Sequence, residues 1–238
     1  MKQRSSEWFQ VRCGRITGSR FAAVMASSKT VAYCRLIDEL VREREGSQSI
    51  KLPITAPMQW GIDHEDEARE WYTRATRNDV DLVGFVHHPR LDFVGVSPDG
   101  LVGARGVLEI KCPQLKAYQA FALERRIPSR YAWQVQGQLW VCDRVFAHFM
   151  CFYPGAGGCI VRVERDEDMI RRLHQRCLEV EHEVQARVQT NRSRVVLAGG
   201  QESGMTLHSK RRVLAGHLRI PWWIWAIAAV LAWVTLFH

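Results

Sequence analysis

The sequence predicts an α+β fold, because the spacing of its apolar residues changes from a helical to a strand period and back again. Apolar residues recur every three to four positions through 31–45 and 59–77, which predicts two amphipathic helices. Between 80 and 113, short β-branched runs alternate with glycine and proline, which predicts strands. With 238 residues, of which 47% are hydrophobic, the chain can bury a sizeable core. One domain with an appendage is the expected organisation.

The first third of the chain is predicted to be helical. Residues 7–26, EWFQVRCGRITGSRFAAVMA, predict two short helices, the second capped near Thr17 or Ser19. The helix over 31–45 runs up to a glycine, and the helix over 59–77 repeats its apolar positions at a spacing of three to four residues.

The middle of the chain predicts a three-stranded meander. Its strands are expected in the runs VDLVGFVHHP, DFVGVSPDG and VLEIKCP. The elements that follow are two helices, two strands and a closing helix, over residues 116–126, 129–143, 144–154, 159–166 and 166–189. This order places the end of the α+β domain near residue 190.

Composition narrows the class of protein. Lysine and arginine outnumber the acids by 33 to 25, a net charge of +8. This modest basic excess is compatible with a polyanionic partner such as nucleic acid and does not prove one. None of the seven cysteines forms a CxxC pair, so no zinc ribbon or redox motif is indicated, and free thiols in a reducing cytoplasm are expected. The first residues lack the apolar region of a secretory signal.

Residues 97–113, SPDGLVGARGVLEIKCP, contain the clearest chemistry. Alternate side chains of a strand share a face, so Glu109 and Lys111 are expected to project the same way. Burying both is costly without a partner, and Mg²⁺ is a cation that prefers carboxylate oxygens. Asp99, in a Pro-Asp-Gly turn, could supply a second ligand. On these residues alone, an ordinary hairpin with solvated charges remains an equal alternative.

Five motifs in a fixed order extend beyond this hairpin. They are RCGRITGSR, WGIDHEDEAR, SPDG, LEIKCP and WQVQGQLWV. In this order they resemble the phage lambda exonuclease and YqaJ-like viral recombinase family of the PD-(D/E)XK nuclease superfamily. The resemblance covers residues 4–190. It implies a restriction-endonuclease-like core, a central mixed β-sheet flanked by helices, within an exonuclease domain of residues 1–190.

The resemblance also implies roles for matching residues. Asp99 and Glu109 are expected to bind a metal ion together with the backbone carbonyl of Ile110, and Lys111 to activate the attacking water. Glu65 is expected to be a further acidic ligand, at a second ion. The residues matched to the grip on a 5′-terminal phosphate are Arg20, Ser97 and Gln134.

The implied activity is metal-dependent hydrolysis of phosphodiester bonds from the 5′ ends of linear duplex DNA, as in phage or prophage recombination. The expected cofactors are two Mg²⁺ ions, with Mn²⁺ as a substitute. The family further implies a single-strand annealing protein as partner and a homotrimer. Two alternatives stay open: a structure-specific or restriction-type endonuclease of the same superfamily, and a catalytically inactive, membrane-tethered DNA-binding protein.

The resemblance does not extend past residue 190. Residues 191–219 carry glycines and the basic cluster 210–212, which predicts a basic flexible linker. Residues 220–238 predict a C-terminal apolar helix, about 27 Å long over its uncharged part, which is close to the thickness of a bilayer. A membrane anchor would tether the cytoplasmic domain to the inner face of the membrane. A helix docked on another subunit and a functionless reading-frame fusion are the alternatives.

Overall fold

The computed structural model describes residues 1–46 and 54–202. The chain divides into two compact units, Met1–Val196 and Leu197–His238. Apart from the end of the last helix, everything described below lies in the first unit. The apolar helix predicted over 220–238 lies outside the described residues. No helix of the described ranges is both long enough and apolar enough to cross a bilayer.

The described part of the chain contains seven α-helices and eight strands. The helices are α1 Ser6–Arg12, α2 Phe21–Val24, α3 Val31–Arg44, α4 Ala56–Thr76, α5 Leu115–Glu124, α6 Ser129–Val141 and α7 Glu167–Glu202. The strands are β1 Ile16–Thr17, β2 Val80–Asp81, β3 Val86–His87, β4 Val94–Val96, β5 Gly100–Val102, β6 Gly106–Lys111, β7 Phe146–Tyr153 and β8 Gly157–Glu164.

Side-chain caps explain where the longer helices begin. The hydroxyl of Thr30 accepts a hydrogen bond from the backbone N–H of Tyr33 at the start of α3. Thr55 does the same for Met58 at the start of α4, next to a proline in the first turn. The second N-terminal helix does not begin at Thr17 or Ser19 as predicted. Thr17 belongs to β1 and Ser19 to a 3₁₀ turn that leads into α2.

Two mixed sheets take the place of the predicted meander. The first has the order β2-β5-β6-β7-β8, in which only β6 and β7 pair in parallel, and the second has the order β1-β4-β3. The first predicted run splits, because β2 pairs with β5 in one sheet and β3 with β4 in the other. The predicted mixed sheet flanked by helices is confirmed, with a second small sheet beside it.

Helices cover both faces of the five-stranded sheet. Val107 and Phe149 pack on one face with side chains of α5 and α6. Leu108 and Met150 point to the other face and pack against Tyr72 of α4. A third cluster lies between α3, α7 and the N-terminal elements. Because side chains alternate along β6, the residues that follow Val107 on its face, 109 and 111, point toward α6.

Helix α7 is longer than predicted. The sequence predicts a flexible linker from residue 191, whereas the helix continues through residue 202. No proline interrupts residues 191–202, so the backbone hydrogen bonds of the helix can continue past the predicted boundary. The rest of the predicted linker, 203–219, lies outside the described residues.

Candidate active site

Asp99 is fixed to strand β6 at the point where the β5–β6 hairpin begins. Its backbone N–H donates to the carbonyl of Leu108 at 3.1 Å, and its Oδ2 accepts from the backbone N–H of Ile110 at 2.7 Å. The Pro-Asp-Gly turn therefore holds this carboxylate beside the strand that carries Glu109 and Lys111.

Glu109 is at the centre of a set of hydrogen-bond donors. Only 1% of the residue is exposed, and its Oε1 accepts from Lys111 Nζ and, at 2.6 Å, from Gln134 Nε2. Its Oε2 accepts from Gln138 Nε2 at 2.5 Å. Glu109 and Lys111 lie on the same face of β6, as the strand period predicts, and two glutamines of α6 face them.

The charges of this cluster shift the pKa values of Asp99 and Lys111. Loss of solvent, followed by repulsion from Glu109 and Glu65, raises the pKa of Asp99 well above its usual value, although Lys111 opposes the shift. Burial by itself would lower the pKa of Lys111, but the negative charges of Glu109 and Asp99 outweigh it and raise that pKa. This direction favours the ammonium form of Lys111, which donates to Oε1 of Glu109.

Glu65 lies on α4 between two arginines. Its Oε1 accepts from Arg69 Nη2 at 2.8 Å, and its Oε2 pairs with Arg4. Arg69 also donates through Nε to the backbone carbonyl of Asp99 at 3.3 Å, which connects α4 to the hairpin. The structure thus brings Glu65 within electrostatic reach of Asp99, but with its oxygens directed at guanidinium groups.

The donor chemistry of this cluster fits a hard divalent cation. Carboxylate oxygens are the ligands that Mg²⁺ prefers, and a bound cation would relieve the repulsion from Glu109 and Glu65 that, after burial, contributes to the raised pKa of Asp99. Within 1–46 and 54–202, however, no three Asp, Glu, His or Cys side chains are close enough together to hold an ion as they stand. Glu65 pairs with Arg4 and Arg69 in this arrangement and would have to exchange these partners to bind a metal ion.

Ser97, two residues before Asp99, lies in a second polar pocket. Its hydroxyl accepts from Trp8 Nε1 at 2.9 Å and from Arg12 Nη1 at 3.2 Å. Arg12 also donates to the hydroxyl of Thr17 at 3.4 Å, and its guanidinium stacks on the ring of Trp8 at 4.1 Å. The hydroxyl of Ser19 lies 3.5 Å from that of Thr17. The guanidinium of Arg12, on α1, therefore has as hydroxyl partners Ser97 after β4 and Thr17 of β1, with Ser19 of the 3₁₀ turn next to Thr17.

Arg12 is a cation with neutral hydrogen-bond partners. No ion pair joins it to a carboxylate in the described ranges of the chain. Burial and the nearby charge of Arg20 lower its pKa to about 10, against the opposing charge of Glu43, so it stays protonated at neutral pH. A positive group among hydroxyl donors is the chemistry of an anion site.

Arg20, which the sequence predicts as the phosphate ligand, has carboxylate partners in the structure. Its guanidinium donates to both oxygens of Glu43, at 2.6 and 2.9 Å, and to the backbone carbonyl of Arg15 at 2.8 Å. A two-pronged pair of this kind occupies the geometry that a phosphate would need. The structure thus places Ser97 beside Arg12, and Gln134 beside Glu109, while Arg20 serves the contact between the N-terminal elements and α3.

Three residues of this site are missed by the sequence analysis. A sequence pattern could have pointed to Arg12, because it lies one helical turn after Trp8, on the same face of α1. The same kind of pattern could have pointed to Gln138, since it follows Gln134 at the same spacing on α6. No such pattern points to Arg4, because a single arginine before a short helix is typical of an exposed residue.

Two comparisons with known proteins find matches to this chain. A family model, described as the YqaJ-like viral recombinase domain, matches residues 7–145 of the chain. The chain belongs to this family. The matched residues include every candidate site residue of the sequence analysis, and of the three missed residues only Arg4 precedes them. No match to a curated protein is found.

Solved structures of exonucleases share the fold of this YqaJ-like domain. An alkaline exonuclease from Laribacter hongkongensis matches with 30% identity and a TM-score of 0.76, over 82% of this chain and 100% of its own. A complex of that exonuclease with dAMP matches with the same values. A phage-related exonuclease from Haemophilus somnus 129PT has 14% identity and a TM-score of 0.62, over 74% and 96% of the two chains, and it agrees in fold alone.

Proposed function

We propose that the protein is a metal-dependent DNA exonuclease that hydrolyses phosphodiester bonds from the 5′ ends of linear duplex DNA in phage-type recombination. The observation that carries the proposal is the cluster of Asp99, Glu109 and Lys111, with an ammonium donor beside two crowded carboxylates. Membership of the YqaJ-like family and the likeness to an alkaline exonuclease support it, as does the binding of a deoxynucleoside monophosphate by that relative.

In this proposal Asp99 and Glu109 hold Mg²⁺, or Mn²⁺ in its place, with the backbone carbonyl of Ile110. The ion would polarise the scissile phosphate and lower the pKa of water. Lys111 donates its N–H groups to the negative charge that develops on the phosphoryl oxygens and orients the attacking water. Glu65 would join a second ion after releasing Arg4.

The polar pocket supplies the preference for a 5′ end. Arg12 and Ser97 bind the terminal phosphate, and Gln134 approaches it from α6. Fixing the end of the strand sets the distance between the terminal phosphate and the carboxylates, so that cleavage begins at an end. A structure-specific endonuclease would not need this pocket, and closed circular DNA distinguishes the two activities.

Other elements of the proposal depend on the family and on the sequence alone. A trimer and a single-strand annealing partner are expected for a recombination nuclease of this type. Residues 220–238 are proposed as an anchor that tethers a cytoplasmic enzyme to the inner face of the membrane, because residues 220–237 carry no charge. Residues 1–190 are proposed as the exonuclease domain.

The test is digestion of linear duplex DNA by the wild type and by the Lys111→Ala and Asp99→Ala variants, with Mg²⁺ and with a chelator. We expect digestion by the wild type only with the metal, and a loss of about 10²–10³-fold in kcat for each variant. Lys29→Ala, an exposed lysine in the turn before α3, is the control for the change in charge.

Digestion that persists undiminished in both site variants would contradict the assignment. Equal cleavage of closed circular duplex DNA would favour the endonuclease, since a circle has no end for the terminal pocket.

A further inference from the structure

Helix α6 directs two amide groups at one carboxylate. Gln134 and Gln138 are four residues apart, so they lie on the same face of the helix, one turn from each other. Gln134 Nε2 donates to Oε1 of Glu109 at 2.6 Å, and Gln138 Nε2 donates to Oε2 at 2.5 Å. The two oxygens of Glu109 are thus held by different glutamines.

The two oxygens are not equally occupied. Oε1 accepts from Lys111 as well as from Gln134, so both of its lone pairs are used. Among the residues that the structure describes, Oε2 has Gln138 as its donor, which leaves one lone pair on that oxygen. With these contacts in place, as in the protein without DNA, Oε2 is therefore the oxygen of Glu109 that remains able to bind a cation.

Gln138 makes this contact at a cost to its own side chain. The residue is 1% exposed, and its Oε1 finds no hydrogen-bond partner in the described part of the chain. Leaving a buried carbonyl oxygen unpaired is unfavourable. Turning the amide over would not help, because its oxygen would then face the oxygen of Glu109. An apolar side chain would suit this buried position better, so packing alone does not account for a glutamine here.

From this division of the oxygens we propose that Gln138 is a positioning residue, which holds Oε2 of Glu109 in the orientation that binds the metal ion. The inference rests on the proposed function, since it concerns the same site. This proposal gives Gln134 and Gln138 different roles. Gln134 is needed at the terminal phosphate when a DNA end binds, so Gln138 is the amide that stays with Glu109.

The experiment compares Gln138→Met with Gln136→Met in the full chain. Methionine matches glutamine in length and cannot donate a hydrogen bond. Gln136 is an equally suitable buried glutamine of α6, but its amide donates to the carbonyl of Glu164 and accepts from the N–H of Asp166, away from the carboxylates. Any general effect of removing a buried amide from this helix should appear in both variants.

The measurements are Mn²⁺ binding by calorimetry without DNA, kcat and KM for linear duplex DNA, and Tm. For Gln138→Met we expect Mn²⁺ to bind about 10–100-fold more weakly, as is typical when a partner of a metal ligand is lost. At subsaturating Mn²⁺ the kcat should fall together with the affinity for Mn²⁺, whereas KM for DNA should stay within about twofold of the wild-type value. For Gln136→Met we expect a lower Tm and an unchanged Kd for Mn²⁺.

Gln138→Ser, with a smaller polar side chain that is too short to reach Glu109, replaces the methionine variant if the latter does not fold. An unchanged Kd for Mn²⁺ in a folded Gln138 variant, or an equal loss in Gln136→Met, would overturn the positioning role while leaving the proposed function intact. A wild type that neither binds Mn²⁺ nor digests DNA would overturn both.

Discussion

Arg12 and Arg20 are eight residues apart, and the polar groups around them assign them different roles. Arg12 has hydroxyl partners, a stacked indole and no ion pair in the described ranges. Arg20 has both oxygens of Glu43, whose side chain is only 6% exposed. A guanidinium that already neutralises a buried carboxylate cannot leave it for a phosphate without exposing that charge to an apolar environment. The terminal-phosphate site is therefore proposed at Arg12.

The two arginines can be told apart with DNA ends of different chemistry. Arg12→Gln should raise KM for 5′-phosphorylated linear duplexes by about 10–100-fold, the effect of losing a hydrogen bond to a charged group, and leave KM for 5′-hydroxyl ends nearly unchanged. Arg20→Ala should keep the preference for the phosphate but lower the stability by about 3 kcal/mol, because the buried Glu43 carboxylate loses the two charged hydrogen bonds that Arg20 donates. Steady-state kinetics on both ends and denaturant unfolding measure these effects. The reverse pattern would restore Arg20 as the phosphate ligand.

At the same scale, the sequence predicts the strand residues of the site better than its arginines. Glu109 and Lys111 share a face because the period of a strand is two, and this holds wherever the strand lies. The motif points to Arg20, but which arginine has a carboxylate partner depends on where α3 packs. That information is tertiary, so no local pattern contains it.

Helices α2 and α6 approach so closely that a glycine is needed between them. A Cβ on Gly137 would lie 2.1 Å from the ring of Phe21, which is fully buried and cannot move aside. Gly61 of α4 is also helical, but a Cβ there would have no neighbour within 4 Å. Replacing these two glycines by alanine should therefore have opposite effects on stability.

Gly137→Ala should destabilise the protein by about 1–3 kcal/mol through overpacking. Gly61→Ala should stabilise it by about 0.5–1 kcal/mol, because alanine loses less backbone entropy in a helix than glycine. Both values come from urea unfolding followed by far-UV circular dichroism. A Gly137→Ala variant as stable as the wild type would show that α2 and α6 do not pack as closely as described.

The sequence predicts α3 and α4 nearly to their ends, but not the C-terminal end of α7 or the short strands. Helix α3 was expected over 31–45 and forms over Val31–Arg44, since a helix of several turns repeats its pattern. Strands β2 and β3 have two residues each, too few to show a period. Whether they join one sheet or two depends on partners elsewhere in the chain, so the sequence pattern predicts a single strand where β2 and β3 form.

On the scale of the whole molecule, the site draws on distant parts of the chain. Arg12 comes from α1, Glu65 from α4, Asp99 from the turn before β5, Glu109 from β6 and Gln138 from α6. All of them belong to the unit Met1–Val196, and no proposed site residue follows it. The proposed chemistry therefore uses no residue of 203–238, and we propose membrane anchoring as the function of the apolar C-terminal segment.

A chain that ends at residue 202 separates these functions. It should digest linear duplex DNA with the kcat of the full chain and appear in the supernatant after membrane fractionation, whereas the full chain should sediment with membranes and be released by detergent but not by high salt. Ala229→Arg in the full chain is the matched control, because one charge near the centre of the apolar run opposes insertion by about 2.5–3.5 kcal/mol. Equal fractionation of the full chain, the shortened chain and Ala229→Arg would contradict the anchor. A shortened chain that stays folded but loses its activity would instead place the apolar segment in the assembly of the enzyme.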